Sequence, residues 1–256
     1  MDPADMAKFR VIALIVAAGK GLRMQSTLKK QYMVLAGLPV LTRTLKAFDS
    51  FPLVDEIVLV LPETDMEFCR DTLVLPFGFK TPIRFVPGGI TRQESVFNGL
   101  SKIAKISDHH EKTLVLIHDG VRPFVQCSLV ETCVERAAFS GACIPALPIF
   151  DTVKEVISGD KISKTLDRNL LYRAQTPQVF RLDLVLSAYF LANEKGFLAT
   201  DEASVLENAG MPVSIVPGSS FNIKLTTQDD LVMARFLLET MGQEDGLSGN
   251  DDSASP

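Results

Sequence analysis

Several residue types and patterns are scarce or absent in this chain of 256 residues. It has no tryptophan, only three histidines and four cysteines, and the cysteines form no CxxC pair. The sequence therefore predicts neither a zinc site nor a disulfide framework. No apolar run is long enough to span a bilayer, and residues 1–10 lack the hydrophobic core of a secretion signal. These absences favour a cytoplasmic protein with no membrane partner, although a targeting peptide that had been removed would leave no trace.

An overall positive charge is also absent. The formal net charge is −5, so we expect no nucleic-acid partner. Hydrophobic residues make up 46% of the chain and charged residues 22%, which is typical of a globular enzyme and too apolar for a disordered chain. The length fits a single α/β domain. Basic residues cluster locally after the first apolar segment, and that cluster indicates a small anionic ligand.

The segment VIALIVAAGKGLRMQSTLKKQY, from Val11 to Tyr32, joins an apolar run to a bare, cationic loop. Residues 11–16 are apolar and largely β-branched, which predicts a strand buried on both faces. The small residues that follow leave the backbone open to close approach, and they are Ala17, Ala18, Gly19 and Gly21. The cations of the loop are Lys20, Arg23, Lys29 and Lys30. Exposed amides and fixed cations together indicate a phosphate site.

This loop fits neither of two familiar nucleotide motifs. It lacks the Gly-Lys-Ser/Thr ending of a Walker A loop, and Met24 stands where a dinucleotide fingerprint has its third glycine. The acidic residue of that fingerprint would have to be Asp49, at the end of a predicted helix. NAD binding is therefore disfavoured. A purely structural turn is disfavoured as well, because such a turn has no need of Arg23 and Lys30.

Alternating strand and helix patterns predict an α/β fold with a mostly parallel sheet and helices on both faces. In such sheets ligands bind beyond the carboxyl ends of the strands. We expect three loops to converge there, at residues 17–30, 87–95 and 118–123. The finer pattern predicts a short strand over 31–35, a helix over 66–75 and a last helix over 228–241.

The alternation is interrupted between residues 149 and 170. Polar and apolar residues alternate there around Ser158-Gly159-Asp160, which predicts a β-hairpin arm that leaves the main body and packs on a neighbour. The folded domain is expected to span 9–241. Residues 242–256 are acidic and small, and we expect a disordered tail.

The sequence GGITRQES, from Gly88 to Ser95, is a second glycine turn that opens a helix. One interpretation is a helix start capped by Thr91, with Glu94 as its capping-box partner. The other is a base-binding turn, whose amides and Ser95 hydroxyl read the edge of a nucleotide base. The two interpretations are compatible.

Asp119 supplies a carboxylate within HDGVRP, at a predicted strand end in a cationic region. It can hold Mg²⁺, which prefers one or two carboxylates together with phosphate oxygens. The alternative is an ion pair with Arg122 within a tight turn. Arg168 and Lys224 stand in short polar clusters, and spacing alone assigns them no more than a solvated charge.

Nine short motifs in order give the chain a specific resemblance. It resembles the 2-C-methyl-D-erythritol 4-phosphate cytidylyltransferase family from about residue 11 to residue 238. The motifs are AAGKGLRM, KQY, GGITRQES, HDGVRPF, DTVK, LDRN, AQTPQ, TDEAS and FNIKLTT. The resemblance implies a homodimeric enzyme with a Rossmann-like nucleotidyltransferase fold. It joins CTP to a polyol phosphate, methylerythritol phosphate, and releases diphosphate with the help of Mg²⁺ or another divalent cation.

The resemblance also implies roles for individual residues. Arg23 and Lys30 match positions that stabilise the phosphorus as it is attacked, and Arg168 and Lys224 complete the catalytic set. Nucleotide-binding positions are matched by Ala17, Ala18, Gly89, Ile90 and Ser95, with Asp119 beside the metal. Gly19 and Gly21 are expected to let the backbone hold the triphosphate. Positions that hold the sugar phosphate are matched by Thr152, Arg168, Thr176, Thr200 and Lys224. Thr152 and Arg168 are expected to reach in from the arm of the partner.

The chain departs from the family pattern at two positions. Lys29 replaces a proline that commonly precedes the KQY lysine, so the sequence alone does not distinguish Lys29 from Lys30 as the phosphate ligand. Ile90 stands at a position that is acidic in some relatives, so any contact there comes from the backbone. Two alternative functions remain at this stage: a ribitol 5-phosphate cytidylyltransferase, and a non-catalytic nucleotide-binding protein on the same fold.

The implied reaction agrees with the residue types. The nucleophile is a phosphate monoester whose second pKa is about 6, so it is already a dianion at neutral pH. The reaction needs no general base, and it needs neutralising charge and in-line positioning when two polyanions meet. Cations and a single carboxylate meet that need.

Overall fold

The structure is a computed structural model, and it describes residues 9–19 and 29–247. The strands are β1 (Arg10–Val16), β2 (Val34–Leu35), β3 (Leu38–Pro39), β4 (Glu56–Leu61), β5 (Ile83–Pro87), β6 (Thr113–Asp119), β7 (Ala142–Pro148), β8 (Lys154–Ser158), β9 (Lys161–Thr165), β10 (Tyr172–Ala174), β11 (Gln178–Arg181) and β12 (Ser214–Pro217). The longer helices are α1 (Val40–Asp49), α2 (Arg92–Ile106), α3 (Cys127–Ser140), α4 (Leu182–Glu194), α5 (Glu202–Asn208) and α6 (Gln228–Leu247).

The central sheet has a parallel half and an antiparallel half. Strands β5, β4, β1 and β6 are parallel neighbours in that order. Strand β11 runs antiparallel between β6 and β7, and β7 also pairs with β10 and β12. The mostly parallel α/β sheet predicted from the sequence is therefore confirmed. Because the parallel strands all end at one edge, their following loops meet there.

Strand β1 is buried on both faces, as its apolar run predicts. Val11, Ala13 and Ile15 join the core on one face of the sheet, beneath α1 and α3. Ile12 and Leu14 join the core on the other face, beneath α2, α4 and α5. Helix α6 packs on a smaller apolar cluster beside β2. The two helical layers, one on each face of the sheet, hold β1 at the centre of the molecule. They thereby also hold the start of the loop at residues 17–30, the glycine loop, which follows β1.

Two predicted elements differ in the structure. Residues 31–35 do not form one strand, because Lys30–Tyr32 is a 3-10 turn and the strand consists of Val34–Leu35. The predicted helix over 66–75 consists of an α-helical turn, a π-helix at Cys69–Val74 and a 3-10 turn at Leu75–Phe77. Pro76 lacks the N–H group that a continuing α-helix requires, and Gly78 then ends the segment with a φ of 59°.

The end of the last helix also differs. Helix α6 continues to Leu247, whereas the sequence predicts an end at Met241. Residues 242–247 thus belong to the helix. The remainder of the predicted tail, residues 248–256, lies outside the described residues.

The predicted hairpin is present as β8 and β9, which form a two-stranded sheet of their own. Val156 pairs with Ile162 across it, and both side chains are at least half exposed. Such exposed apolar pairs are uncommon on a surface that stays in water.

Candidate active site

A cavity of about 380 Å³ opens at the carboxyl ends of the parallel strands. The predicted loops meet there. The predicted site residues that line it are Ala17, Ala18, Gly19, Lys30, Gly89, Ile90, Ser95, Asp119 and Lys224. They come from segments more than 200 residues apart in the sequence, between Ala17 and Lys224. The fold therefore assembles one site from the glycine loop, the second glycine turn and the FNIK segment.

Four other predicted residues that the structure describes do not line the cavity: Thr152, Arg168, Thr176 and Thr200. Gly21 and Arg23 lie outside the described residues. Thr152 and Thr200 are exposed and do not line the cavity. Arg168 is exposed at the base of the hairpin, where its guanidinium donates to the Phe150 carbonyl at 2.5 Å. The proposed contributions of Thr152 and Arg168 from a partner's arm stay predictions.

The described start of the glycine loop is held by Gln31, a residue that the sequence reasoning did not single out. Its side-chain amide donates to the carbonyls of Ala17 at 2.8 Å and Gly19 at 3.2 Å. Gly88 packs against the same loop so closely that an added Cβ would lie 2.4 Å from the Cβ of Ala18. The absence of a side chain at Gly88 is therefore a requirement for bringing the two glycine segments together.

The second glycine turn has the predicted capping box. The Glu94 amide donates to Thr91 Oγ1 at 3.0 Å, and Glu94 Oε2 accepts from the Ile90 amide at 2.7 Å. Ser95 Oγ accepts from the Gly89 amide at 3.0 Å and donates to the Thr91 carbonyl at 2.8 Å. The capped-helix interpretation is confirmed. The amides expected to read a base are hydrogen-bonded within the turn itself.

Asp119 is the electrostatic centre of the cavity. Its carboxylate lies 2.9 Å from Lys224 Nζ, 3.3 Å from Arg122 Nε and 3.5 Å from the Arg92 guanidinium. Burial alone raises the pKa of this carboxyl, but the surrounding Arg92, Lys224 and Arg122 hold the pKa well below its usual value. Asp119 is thus ionised at neutral pH. The ion pair with Arg122 that the sequence suggested is present, together with two further cations.

Thr176 and His118 support Asp119 from behind. The Arg122 carbonyl can only accept a hydrogen bond, so His118 Nε2, 3.0 Å away, carries the ring proton and donates it. The unprotonated Nδ1 accepts from Thr176 Oγ1 at 3.0 Å, and the same hydroxyl accepts from the Asp119 amide at 3.2 Å. Burial lowers the pKa of His118 to about 4, so the ring is neutral. Thr176, predicted to hold the sugar phosphate, is buried with its hydroxyl already bonded in both directions.

A bulge in the sheet carries Thr176 to that position. Ala174 pairs with Ala146 and Val179 with Cys143, so residues 175–178 face only residues 144–145. The additional residues displace the chain toward β6 and its terminal Asp119.

Arg92 is a site residue that the sequence reasoning missed. It lines the cavity, and its guanidinium binds Glu202 in two contacts of 2.5 and 3.0 Å. Glu202 is buried and also accepts from the Tyr189 hydroxyl at 3.2 Å. Burial lowers the pKa of Arg92, but Glu202 and Asp119 together raise it above its usual value. The one available signal was an arginine at the first position of a helix that opens on the site.

Lys29 and Lys30 point to different partners. Lys30 lines the cavity, and its ammonium donates to the Thr226 carbonyl at 2.7 Å. Lys29 Nζ lies 2.5 Å from Asp65 Oδ2. The structure thus assigns the cavity to Lys30, as the family resemblance implied.

The cavity combines bare backbone, cations and one carboxylate, an arrangement that suits a polyphosphate with a bound cation. Within the described ranges 9–19 and 29–247, no group of three or more metal-ligating side chains occurs. Mg²⁺ requires only one or two carboxylates when phosphate oxygens and water complete its shell. Asp119 meets that requirement, since among the described residues its Oδ1 has only the 3.5 Å contact with Arg92.

Comparisons with known proteins agree on one family. A sequence model described as 2-C-methyl-D-erythritol 4-phosphate cytidylyltransferase matches residues 11–240. The chain is 45% identical over 232 residues to the protein of that name from Syntrophus aciditrophicus, covering 91% of this chain and 97% of the relative. The relative from Bacillus licheniformis is 45% identical over 227 residues, covering 88% and 94%.

Solved structures give the same result. The crystal structure of 4-diphosphocytidyl-2C-methyl-D-erythritol synthase from Anaerococcus prevotii superposes with a TM-score of 0.78 at 33% identity, covering 93% of this chain and 100% of that chain. The 2-C-methyl-D-erythritol 4-phosphate cytidylyltransferase of Francisella tularensis superposes with a TM-score of 0.75 at 33% identity, covering 89% and 99%.

Proposed function

This chain belongs to the 2-C-methyl-D-erythritol 4-phosphate cytidylyltransferase family, and from that premise we propose that the cavity around Asp119, Lys30 and Lys224 is its active site. The enzyme transfers the cytidylyl group of CTP to 2-C-methyl-D-erythritol 4-phosphate and releases diphosphate, a step of non-mevalonate isoprenoid precursor synthesis. One observation carries the assignment of the site. The bare backbone at Gly19 lies in the same cavity as two lysines and a buried carboxylate.

The chain's residues act by neutralising charge. The phosphate of methylerythritol phosphate attacks the α-phosphorus of CTP, and the bond to the β-phosphate oxygen breaks. Lys30 and Lys224 offset the negative charge that accumulates as the two anions meet. The attacking phosphate is already ionised at neutral pH, so no side chain has to remove a proton. The neutral, buried His118 agrees with this, because it orients Asp119 and Arg122 and does not line the cavity.

We assign the divalent cation to Asp119. The ionised carboxylate lines the cavity, and phosphate oxygens of CTP would supply the other ligands that Mg²⁺ prefers. A bound Mg²⁺ would supply further positive charge to the triphosphate. Activity is expected to disappear with a chelator and to return on addition of Mg²⁺.

The second half of the proposal concerns a homodimer formed through the hairpin arm, β8 and β9. Its support is the exposed apolar pair Val156 and Ile162 on a hairpin that forms its own small sheet. Arg168 and Thr152 lie at the base of this hairpin, where a partner's cavity can receive them. They hold the sugar phosphate in this proposal, together with Thr200 and Lys224, while Arg23 joins Lys30 at the α-phosphate.

We also place the protein in the cytoplasm. Its four cysteines are free thiols, three of them buried, which suits a reducing compartment. No helix among the described residues is long and apolar enough to cross a membrane.

A substrate matrix tests the proposed function. Diphosphate release is measured with each of the four nucleoside triphosphates, each paired with methylerythritol phosphate or ribitol 5-phosphate, in the presence of Mg²⁺. We expect rapid release only for CTP with methylerythritol phosphate. Faster release with ribitol 5-phosphate would assign the rival activity, and no release with any pair would identify a non-catalytic nucleotide-binding protein.

A further inference from the structure

We propose that Asp65 is a positioning residue for catalysis, because it anchors the turn Lys30–Tyr32 on both sides of Lys30 and so fixes the direction in which the Lys30 ammonium enters the cavity. The inference rests on the proposed function of the cavity. Asp65 itself does not line the cavity, and it acts through the residues that flank Lys30.

One carboxylate oxygen holds both flanks of the turn. Asp65 Oδ2 lies 2.5 Å from the Lys29 ammonium and accepts from the Tyr32 hydroxyl at 2.7 Å. Its other oxygen accepts from Thr64 at 3.0 Å. The two side chains that reach Asp65 come from the residues before and after the pair Lys30-Gln31, so the turn is fixed at both ends.

The backbone of the turn makes Lys30 sensitive to these anchors. The Tyr32 amide donates to the Lys29 carbonyl at 2.9 Å, and the Met33 amide donates to the Lys30 carbonyl at 3.1 Å. Gln31 binds the glycine loop instead. Neighbouring side chains on a 3-10 turn project about 120° apart. Lys29 and Tyr32 lie three residues apart, on the same side of the turn, and both bind Asp65. Gln31 binds the Ala17 carbonyl on a second side, so Lys30 is directed to the third side, which faces the cavity.

Tyr32 makes the anchor rigid. Its ring is buried and meets Phe68 edge to face with centroids 5.4 Å apart, and its hydroxyl accepts from Cys69 Sγ at 3.3 Å. Burial, helped by the neighbours Cys69 and Asp65, raises the pKa of the Tyr32 hydroxyl, which therefore stays a donor to Asp65 at every physiological pH. Both Tyr32 and Asp65 thus keep the protonation states that this contact needs.

The charge of Asp65 has a second consequence. Burial raises its pKa, but hydrogen bonds from Lys29 and Tyr32 outweigh burial and lower it. Asp65 is therefore ionised and neutralises Lys29. Of the two adjacent lysines, Lys29 is paired with Asp65, and Lys30 is directed into the cavity where the phosphates are proposed to bind. Small misplacements of a group that stabilises a transition state are costly in rate.

The test is the variant Asp65→Asn, assayed with CTP, methylerythritol phosphate and Mg²⁺. Asparagine keeps the shape and an acceptor for Tyr32 but loses the charge that holds Lys29. We expect kcat to fall about tenfold, with the KM for CTP changing less than about threefold. The matched control is Glu63→Gln, which changes an exposed carboxylate in the 3-10 turn Glu63–Asp65 that also holds Asp65, with wild-type kcat expected.

A double-mutant cycle distinguishes positioning from a general structural role. In a Lys30→Met background, Asp65→Asn is expected to have no further effect on kcat beyond about twofold, because its effect passes through Lys30. A loss that multiplies with that of Lys30→Met would overturn the proposal, as would a wild-type kcat in Asp65→Asn itself.

Two further variants test the same proposal if Asp65→Asn does not fold. Tyr32→Phe and Lys29→Met each remove one anchor, and each is expected to lower kcat about threefold in the wild-type background and not in the Lys30→Met background. Unchanged kcat in both overturns the proposal. A wild-type protein that releases no diphosphate would instead refute the proposed function, and the two failures are therefore separable.

Discussion

Lys30 and Lys224 reach the same cavity from opposite ends of the chain, and each is held by a specific partner. The Lys30 ammonium donates to the Thr226 carbonyl, two residues from Lys224, which itself pairs with Asp119. Thr226 is fixed in turn by Asp230, which accepts from its amide at 2.7 Å and its hydroxyl at 2.8 Å. The cations are therefore oriented before substrate arrives, and preorganised charge is the main requirement of this chemistry.

The variant Lys30→Met tests the role of that charge. We expect kcat for diphosphate release to fall about 100-fold, because a cation at the developing charge is lost while the apolar stem is kept. Thermal unfolding is expected to remain near that of the wild type. The control is Lys105→Met, which removes an exposed lysine in the last turn of α2. Rates within twofold of wild type for Lys30→Met would contradict the assigned role.

His118 gives a prediction on pH. Its folded-state pKa of about 4 lies below the unfolded value of about 6.5, so below pH 6.5 the unfolded state binds a proton that the folded state does not. The free energy of unfolding is expected to fall as pH drops from 6.5 to 4, by up to about 1 kcal/mol per pH unit from this group.

Urea unfolding at pH 7, 6 and 5 measures this effect. The variant His118→Gln is expected to lose stability at pH 7 but to show a shallower decline toward pH 5. His109→Gln, which changes an exposed histidine, keeps the wild-type slope. Equal slopes for wild type and His118→Gln would show that burial of this ring does not control acid stability.

At the residue scale, sequence identified the types of side chain better than their partners. The cavity residues Gly19, Lys30, Asp119 and Lys224 were predicted from local motifs and the family resemblance. Arg92 was missed because its meaning depends on Glu202, which meets it only after folding. Lys29 and Lys30 were equivalent by spacing, and their partners in the fold distinguish them: Lys29 binds Asp65, and Lys30 binds the Thr226 carbonyl in the cavity.

At the scale of elements, the second glycine turn packs directly against the glycine loop, and together they form one side of the cavity. Gly88→Ala is expected to raise the KM for CTP at least tenfold, because the new Cβ would lie 2.4 Å from the Cβ of Ala18 and displace the loop. Initial-rate kinetics measure the change. The double variant Gly88→Ala with Ala18→Gly removes that contact and is expected to recover part of the affinity. A normal KM in Gly88→Ala would mean that the two segments move independently.

The hairpin arm gives the second prediction at this scale. Replacing the exposed pair by charge, in Val156→Lys with Ile162→Lys, is expected to convert the proposed dimer into a monomer, since like charges oppose burial of that face. Sedimentation equilibrium measures the mass, and turnover is expected to fall as the dimer dissociates. Val232→Lys, on an exposed face of α6, leaves the mass unchanged. A wild-type mass for the hairpin variant would refute the arm as the dimer contact.

Helices and strands with a clear pattern of apolar residues or a local capping motif were predictable from the sequence, and irregular segments were not. The start of helix α2 was predictable, because the capping box of Thr91 and Glu94 is local to the sequence and is present in the structure. The segment over 66–77 reads as a helix until Pro76, and the sequence has no signal for its π-helical middle. Tyrosine is common in β-strands, but the hydrogen bond from the Tyr32 hydroxyl to Asp65 favours the 3-10 turn at this position.

At the scale of the whole molecule, the parallel sheet explains why distant segments meet. Strands β1 and β6 are neighbours, so Val16 lies opposite Asp119 and the glycine loop starts beside the carboxylate. The α/β alternation was enough to predict this edge as the site. The register of the bulge at residues 175–178 was not predictable, because it depends on hydrogen bonds between Thr176, His118 and Asp119 across the sheet.

The central claim is that CTP reacts in the cavity around Asp119. A crystal structure with α,β-methylene-CTP and Mg²⁺ tests it most directly. We expect the α-phosphate between Lys30 and Lys224, the Mg²⁺ at the Asp119 carboxylate and the cytosine against the turn at Gly89. Nucleotide density elsewhere, or a triphosphate in this cavity that contacts neither lysine, would contradict it.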